Sequence, residues 1–394
     1  MKNRIHFLPA GQVDNLGDQL INMAVVDAVR PYGEVVINDL DTPKWFVDAI
    51  SAPGDRRFSE FSDRRFFSSL ARILMKEKGG RETLQHYVIL PPGHTSRKGF
   101  RQARLALGRY ARLLLLRSLG CRIVRVGFSI GPFDRINGVV ESFGSRAFDF
   151  YGVRDQESLA LARKYRFQRP HLFPDLAWSG SRSQVREDVD AQDVVVVSFR
   201  SNAFGQVHDK EYLVPLIDRL RGLLSASRLA GKRVVVAFQV EADRSASGEI
   251  FEALRSSGFP VYLYRDRLTL EGAHTLYRKA CCVISNRLHV LLLAGQSGSL
   301  PIALAHMKDN LKITGMLQDN DLGDLVLNVE DEHDTTPERI DSILAGRAET
   351  LKRFAKAREG NCRRIDEGLV QLFGRPGASL PEPDSPSIAQ GRAI

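Results

Sequence analysis

The sequence predicts an α/β protein of two Rossmann-like domains facing a cleft. Three observations lead there. A chain of 394 residues exceeds what one ordinary hydrophobic core serves and is comfortable for two. Short β-like runs alternate with helical periodicity in both halves, the pattern of βαβ units in a mostly parallel, helix-covered sheet. Between the halves, after Trp178, the stretch SGSRSQVREDVDAQD carries Ser, Gly and charge without an apolar period and reads as a linker.

In chain order, strands are expected at Arg4 to Leu8, Glu34 to Leu40, Tyr87 to Pro91, Cys121 to Ile130 and Phe150 to Val153, with a helix from about Asp18 and a basic helix over 97–119. The stretch 42–78, rich in Arg, Phe and Ser, fits this alternation poorly and is expected to be an insertion of irregular helices. The second half repeats the pattern at Val194 to Phe199, Arg233 to Gln239, Val261 to Tyr264, Cys282 to Ser285 and Pro301 to Leu304. A charged amphipathic helix or helix pair follows from Thr336 to about Phe373. The expected division is 1–180 and 190–345 for the two domains, 346–373 for a C-terminal helix and 374–394 for a Pro-, Gly- and Ser-rich disordered tail.

A hydrophobic content of 43% and a charged content of 26% are those of a globular protein. The opening MKNRIHFLPAGQ has no long apolar core or small-residue cleavage site, so no export is expected. The apolar run Leu113 to Leu116 is flanked by Arg112 and Arg117, far short of the roughly 20 residues that span a bilayer. Cys121, Cys281, Cys282 and Cys362 lack CxxC or Cys/His ligand spacing, which favours reduced thiols in a cytoplasmic protein and no metal site.

The formal charge is +9. Between Glu82 and Asp134 there is no acidic residue, and the nine bases from Arg97 to Arg125 equal the whole excess. The helix that holds most of them reads either as a solvated face or, through Leu105, Leu107, Leu113 and Leu116, as an interfacial helix drawn to anionic lipid. Little aromatic interleaving and no binding motif argue against a nucleic-acid partner.

Paired doubly wound sheets bind ligands at the carboxyl ends of their strands, in the crevice between them. Three strand ends carry chemistry. After the first strand comes Asp14-Asn15-Leu16-Gly17-Asp18, where Gly17 lets the backbone approach a ligand and the helix N-terminus favours an anion, while Asp18 alternatively caps the helix. No GxGxxG or GxxxxGK[ST] is present, so dinucleotide and P-loop readings have no support. Arg200 ends VVVVSF, placed for a carboxylate or phosphate, or for a plain salt bridge. Ser285-Asn286-Arg287-Leu288-His289 puts a cation and an imidazole where a buried strand opens into an apolar helix, suited to anion binding and proton transfer or to an ordinary interface.

Taken together, the chain resembles the polysaccharide pyruvyltransferase family. The matching stretches are Asn15-Leu16-Gly17-Asp18, Arg154-Asp155-Gln156-Glu157-Ser158, Pro174-Asp175-Leu176-Ala177, Ser198-Phe199-Arg200 and Ser285-Asn286-Arg287-Leu288-His289 with Gly298, Pro301 and Lys308, in family order over about 10–320. The resemblance implies a GT-B-like arrangement of the domains, and transfer of a pyruvyl group from phosphoenolpyruvate onto two sugar hydroxyls as a cyclic ketal. It also implies that Arg200, Arg287 and His289 lie at the active site. Phosphoenolpyruvate is the donor substrate, and no further cofactor is expected. The acceptor is a sugar of an exopolysaccharide or cell-surface glycan precursor, expected to be lipid-linked at the inner face of the membrane. Where many members carry a glycine run, this chain reads Leu90-Pro91-Pro92-Gly93-His94.

A compact donor with a carboxylate and a phosphate needs at least two cationic anchors, supplied by Arg200 and Arg287 with Lys308 in support. Asn15, Gly17, Ser285 and His94 complete the expected substrate contacts. His289 is the expected acid/base, with His94 and Asp18 as the other candidates and Arg287 beside it in the catalytic group. Asp155 and Asp175 read as turn- or cap-fixing residues. The rival reading is a glycosyltransferase of the same architecture with a nucleotide-sugar donor, for which Glu241 and Asp243 are the nearest carboxylate pair.

Overall fold

The computed structural model describes residues 2–9, 12–77, 84–180, 193–200, 210–307 and 310–376. The first half runs β1 (Lys2–Phe7), α1 (Leu16–Val29), β2 (Glu34–Ile37), α2 (Lys44–Ile50), β3 (Arg56–Arg57), α3 (Phe66–Glu77), β4 (Leu84–Ile89), β5 (Gly93–Arg97), α4 (Phe100–Ser118), β6 (Arg122–Phe133), α5 (Arg135–Gly144), β7 (Phe150–Val153), α6 (Gln156–Lys164) and β8 (Pro170–Leu172). Its strands pair in parallel in the order β3-β2-β1-β4-β6-β7-β8, with β5 alongside β6.

The second half runs β9 (Val194–Ser198), α7 (Lys210–Leu224), β10 (Arg233–Val236), α8 (Arg244–Ser256), β11 (Val261–Leu263), α9 (Leu270–Arg278), β12 (Ala280–Ser285), α10 (Leu288–Gln296), β13 (Leu300–Ala305), α11 (Leu311–Gln318), β14 (Val326–Asn328), α12 (Pro337–Ala345) and α13 (Arg347–Phe373). Its parallel sheet has the order β11-β10-β9-β12-β13-β14, the doubly wound Rossmann order. β9 and β12 lie at its centre, and every residue of both is buried, which is why they read as unbroken apolar runs.

The stretch expected to be an insertion of irregular helices holds two α-helices among its described residues. Its helices α2 and α3 bury Phe46, Val47 and Ile50, and Phe66, Leu70 and Leu74, at helical spacing. The unforeseen strands β3, β5, β8 and β14 are two to five residues long, too short to display an apolar period.

At 27 residues, α13 is about 40 Å long and ties the halves together. Near its start, Arg347 donates to the carbonyls of Cys281 (3.3 Å) and Gly298 (2.6 Å). Midway, Arg358 donates to those of Trp178 (3.2 Å) and Gly180 (2.9 Å). At its end Phe373 packs on Tyr32 and Tyr87, with ring centroids 5.1 and 4.7 Å away. One continuous apolar core joins the two sheets through Leu176, Ala177 and Trp178.

Candidate functional site

β9 and β12 are neighbours, and the chain leaves them in opposite directions across the sheet, so a crevice opens at their carboxyl ends. Arg200 follows β9 and Arg287 follows β12. Asn286 clamps the first of these: its Oδ1 accepts the backbone N–H of Arg200 (2.8 Å) and its Nδ2 donates to the Arg200 carbonyl (3.1 Å). The Arg200 guanidinium donates to Oδ1 of Asn310, and the Tyr212 hydroxyl accepts from Nδ2 of both Asn286 (3.2 Å) and Asn310 (3.3 Å). Neutral partners thus aim a cation without cancelling its charge.

Arg287 is the N-cap residue of α10, its guanidinium paired with Asp243, which is 2% exposed. Burial raises the Asp243 carboxyl and Arg287 opposes that rise. Nε of Arg200 and Nε of Arg287 are buried donors without a hydrogen-bond partner among the described residues. Unsatisfied buried guanidinium donors are costly in an empty site and fit one that receives an anion.

His289 lies in the first turn of α10. Its Nε2 is 3.4 Å from Oδ2 of Asp175, in the loop that closes the first sheet. Asp175 is fully buried and also accepts from Nη1 of Arg154 (2.5 Å) and from the backbone N–H of Ala177 (2.9 Å). Burial alone would raise its pKa, but Arg154 and the imidazole outweigh burial and hold the carboxyl well below the usual range. On the other side His289 abuts α1: a methyl group built on Gly17 would overlap Nδ1 and fall 3.0 Å from Cγ of the imidazole. Glycine is required there by close approach alone.

Asp18 shares this corner. Burial and the nearby Asp175 raise its pKa, against His289, Arg154 and Arg287. Lys312, in the first turn of α11, has a side chain open to the cleft while protein crowds its ammonium. Desolvation, then the charges of Arg154 and Arg200, bring its pKa down to about 7. His94 on β5 is likewise open to the cleft, and desolvation, Lys312 and Arg154 lower it to about 3, so its imidazole is neutral at pH 7.

The structure therefore gathers His289, Arg287, Arg200, Asp18, Gly17 and His94 around one cleft. One expected contact is corrected, and the cap of α1 is reassigned. Ser285 is fully buried, its hydroxyl donating to the Ser198 carbonyl and accepting the Arg287 N–H (3.0 Å), so it shapes the turn and is not exposed to the cleft. Asn15, not Asp18, caps α1, its Oδ1 accepting the Gly17 N–H (2.9 Å), so the Asn15 amide oxygen is engaged and the Asp18 carboxyl is not used as the cap. Lys308 lies outside the described residues.

Asp155 accepts from Ser129 and caps α6, as its position in the sequence suggests. Asp175 does more than fix its turn, and Arg154, Asn286, Asn310, Tyr212 and Lys312 were not singled out beforehand. Arg154, Asp175 and Asn286 do fall inside the short stretches that carry the family resemblance, which was the signal available. Glu241 and Asp243 do not act as a pair, because Glu241 is exposed against Arg244 while Asp243 holds Arg287. Two hollows of about 440 and 380 Å³ lie elsewhere, beside α9 and beneath the end of α13, and none of the cleft residues lines either.

Two guanidiniums, an ammonium and a carboxylate-backed imidazole around one crevice can hold a small polyanion and move a proton beside it. The sequence profile of the family described as polysaccharide pyruvyl transferase matches residues 15–305, a span from the N-cap of α1 to the last residue of β13. The chain belongs to the polysaccharide pyruvyl transferase family. No curated protein matches it.

Among solved structures, this pyruvyl transferase family member is similar to a glycosyltransferase from Rickettsia africae ESF-5, at 8% identity over 94% of this chain and 97% of that one, with a TM-score of 0.59. It is also similar to a UDP-forming α,α-trehalose-phosphate synthase from Burkholderia vietnamiensis (14% identity, 95% and 98% covered, TM-score 0.53). A third neighbour is a UDP-GlcNAc 2-epimerase from Methanocaldococcus jannaschii (10% identity, 88% and 92% covered, TM-score 0.52). At such identities the likeness is one of fold, the GT-B-like pairing of two Rossmann-like domains.

Proposed function

We propose that this protein transfers the pyruvyl group of phosphoenolpyruvate to two hydroxyls of a sugar, forming a cyclic ketal and releasing phosphate. The acceptor is a lipid-linked precursor of an exopolysaccharide or cell-surface glycan, and the enzyme works in the cytoplasm without a further cofactor. The observation that carries this reading is the convergence of Arg200 and Arg287, each with a buried Nε that has no hydrogen-bond partner among the described residues, beside the His289–Asp175 pair.

Phosphoenolpyruvate places a carboxylate and a phosphate on a three-carbon frame, one anion for each guanidinium, with Lys312 as a third cation below about pH 7. Protonation of its methylene carbon makes a methyl group and leaves an oxocarbenium-like centre at C2. One sugar hydroxyl adds there and loses its proton. The second hydroxyl then attacks the same carbon, the C2–O bond to phosphate breaks, and its proton leaves with the phosphate. Two protons come off the sugar, one ends on carbon and one on phosphate.

His289 serves as the acid/base. Ionised Asp175 fixes the proton on Nε2 and leaves Nδ1, on the α1 side, as the exchanging atom. Asp18, its pKa raised by burial, is the adjacent group able to share that proton. His94, neutral at pH 7, lies on the first-domain side of the cleft, where it can accept from an acceptor hydroxyl.

The fold neighbours favour one other reading, a nucleotide-sugar glycosyltransferase. The experiment that separates the two is incubation of the enzyme with phosphoenolpyruvate and a glycolipid extract, following phosphate release together with the mass of the acceptor. Phosphate release coupled to the mass gain of one pyruvyl ketal is expected. Acceptor modification only with nucleotide sugars contradicts the proposal.

A further inference from the structure

We propose that the face formed by α4 and α5 docks on an anionic lipid bilayer. Seven of the fourteen exposed large apolar side chains among the described residues lie on these two helices. On α5 they are Ile136, Val139 and Phe143, three and seven residues apart, and thus one stripe. On α4, Phe100, Leu107 and Leu115 recur at seven- and eight-residue intervals along its outer face, while Ala103, Ala106, Tyr110, Leu113 and Leu116 bury the opposite one. The helices pack side by side, since the Tyr110 hydroxyl donates to Glu141 (2.6 Å) and Gly144 lies against the Tyr110 ring, so the stripes are neighbours.

Charge decides the occupant. Arg101, Arg104, Arg135 and Arg146 are exposed around these stripes. The acids of the segment between β5 and β7 are all engaged: Asp134 caps α5 and accepts the Gly99 N–H (2.5 Å), Glu141 is buried against Tyr110 and Arg97, and Asp149 accepts the Ile123 N–H (2.8 Å) and pairs with Arg117. A second copy of the same face would meet like charge. A nucleic acid would gain nothing from the exposed Ile, Val and Leu that make up most of the two stripes. Anionic headgroups over an acyl boundary satisfy both components. No described helix is long and apolar enough to cross a bilayer, so the contact is interfacial. Phe100 follows His94 by six residues, which brings the docked face close to the cleft.

The test is flotation of the full chain with phosphatidylcholine vesicles, with and without phosphatidylglycerol, at low and physiological ionic strength. Binding to the anionic vesicles only is expected, weakened by salt. Both Val139→Glu/Phe143→Glu and Arg101→Glu/Arg104→Glu should reduce it roughly tenfold or more at unchanged thermal stability. No flotation with anionic vesicles, or flotation of both variants equal to that of the wild type, overturns the proposal. So does displacement by inorganic phosphate at matched ionic strength, which would mark a phosphate site in place of a lipid surface. Dimerisation that the Val139→Glu/Phe143→Glu variant abolishes, without lipid binding, overturns it in favour of a second copy. Flotation is read without turnover, so its failure leaves the proposed pyruvyl transfer standing.

Discussion

Oδ2 of Asp175 lies 3.4 Å from Nε2 of His289, linking the loop that closes the first sheet to the first turn of α10 in the second. If this pair is the proposed acid/base, its competence depends on how the two domains are held together. His289→Asn keeps a side chain of similar width but no exchangeable imidazole. Its kcat for phosphate release should fall about 10²- to 10⁴-fold while phosphoenolpyruvate affinity changes little. A loss of affinity with kcat intact would reassign His289 to binding.

Asp175→Asn is chiefly a stability experiment. It leaves the Arg154 guanidinium, 8% exposed, without its buried counter-charge, an expected loss of about 3–5 kcal/mol. Because the folded-state pKa of Asp175 is depressed, the wild-type advantage should be complete above the ordinary carboxylate range and shrink as pH falls through the lower folded value. Denaturant unfolding of both proteins across acidic pH checks this.

Gly17→Ala adds one methyl group where the imidazole of His289 already sits. The expected outcome is a stability loss of about 1–3 kcal/mol and a fall in kcat like that of His289→Asn. Activity unchanged within a factor of about two would show that the histidine can move without consequence.

Lys312 supplies a pH dependence. With a pKa near 7 it is a cation below that value and neutral above it, so phosphoenolpyruvate affinity should decline as pH rises through about 7. In Lys312→Met the affinity should be lower at acidic pH and this inflection should vanish. Calorimetric titration of both proteins from pH 6 to 8.5 reads the difference directly, and an inflection that persists in the variant removes Lys312 from the donor site.

How much of this was legible beforehand follows from what local pattern encodes. The valine run of β9 and the Cys282–Ser285 stretch of β12 announced themselves because a central parallel strand is apolar on both faces, and that placed Arg200 and Arg287 at strand tips. Asp175 did not announce itself. A Pro-Asp pair reads the same whether the carboxylate only fixes its own turn or also reaches a histidine 114 positions away. Ser285 misled for the opposite reason, since a serine at a strand end reads as a ligand contact unless its burial is known. On α4 the leucines divide by a period that arginines obscure: Leu113 and Leu116 are buried, whereas Leu105 and Leu107 are exposed. The apolar stripe of α5 is three residues among polar ones and becomes meaningful only beside α4.

The most direct test of the donor site is the thermal unfolding of the wild-type protein, Arg200→Met and Arg287→Met with phosphoenolpyruvate and, separately, with a panel of nucleoside diphosphates. Phosphoenolpyruvate at a hundred times its dissociation constant should stabilise the wild type by about 2.7 kcal/mol, and each variant by far less, with no effect of the nucleotides. Stabilisation by nucleotides alone, or an undiminished response to phosphoenolpyruvate in both variants, would contradict the assignment of these two arginines.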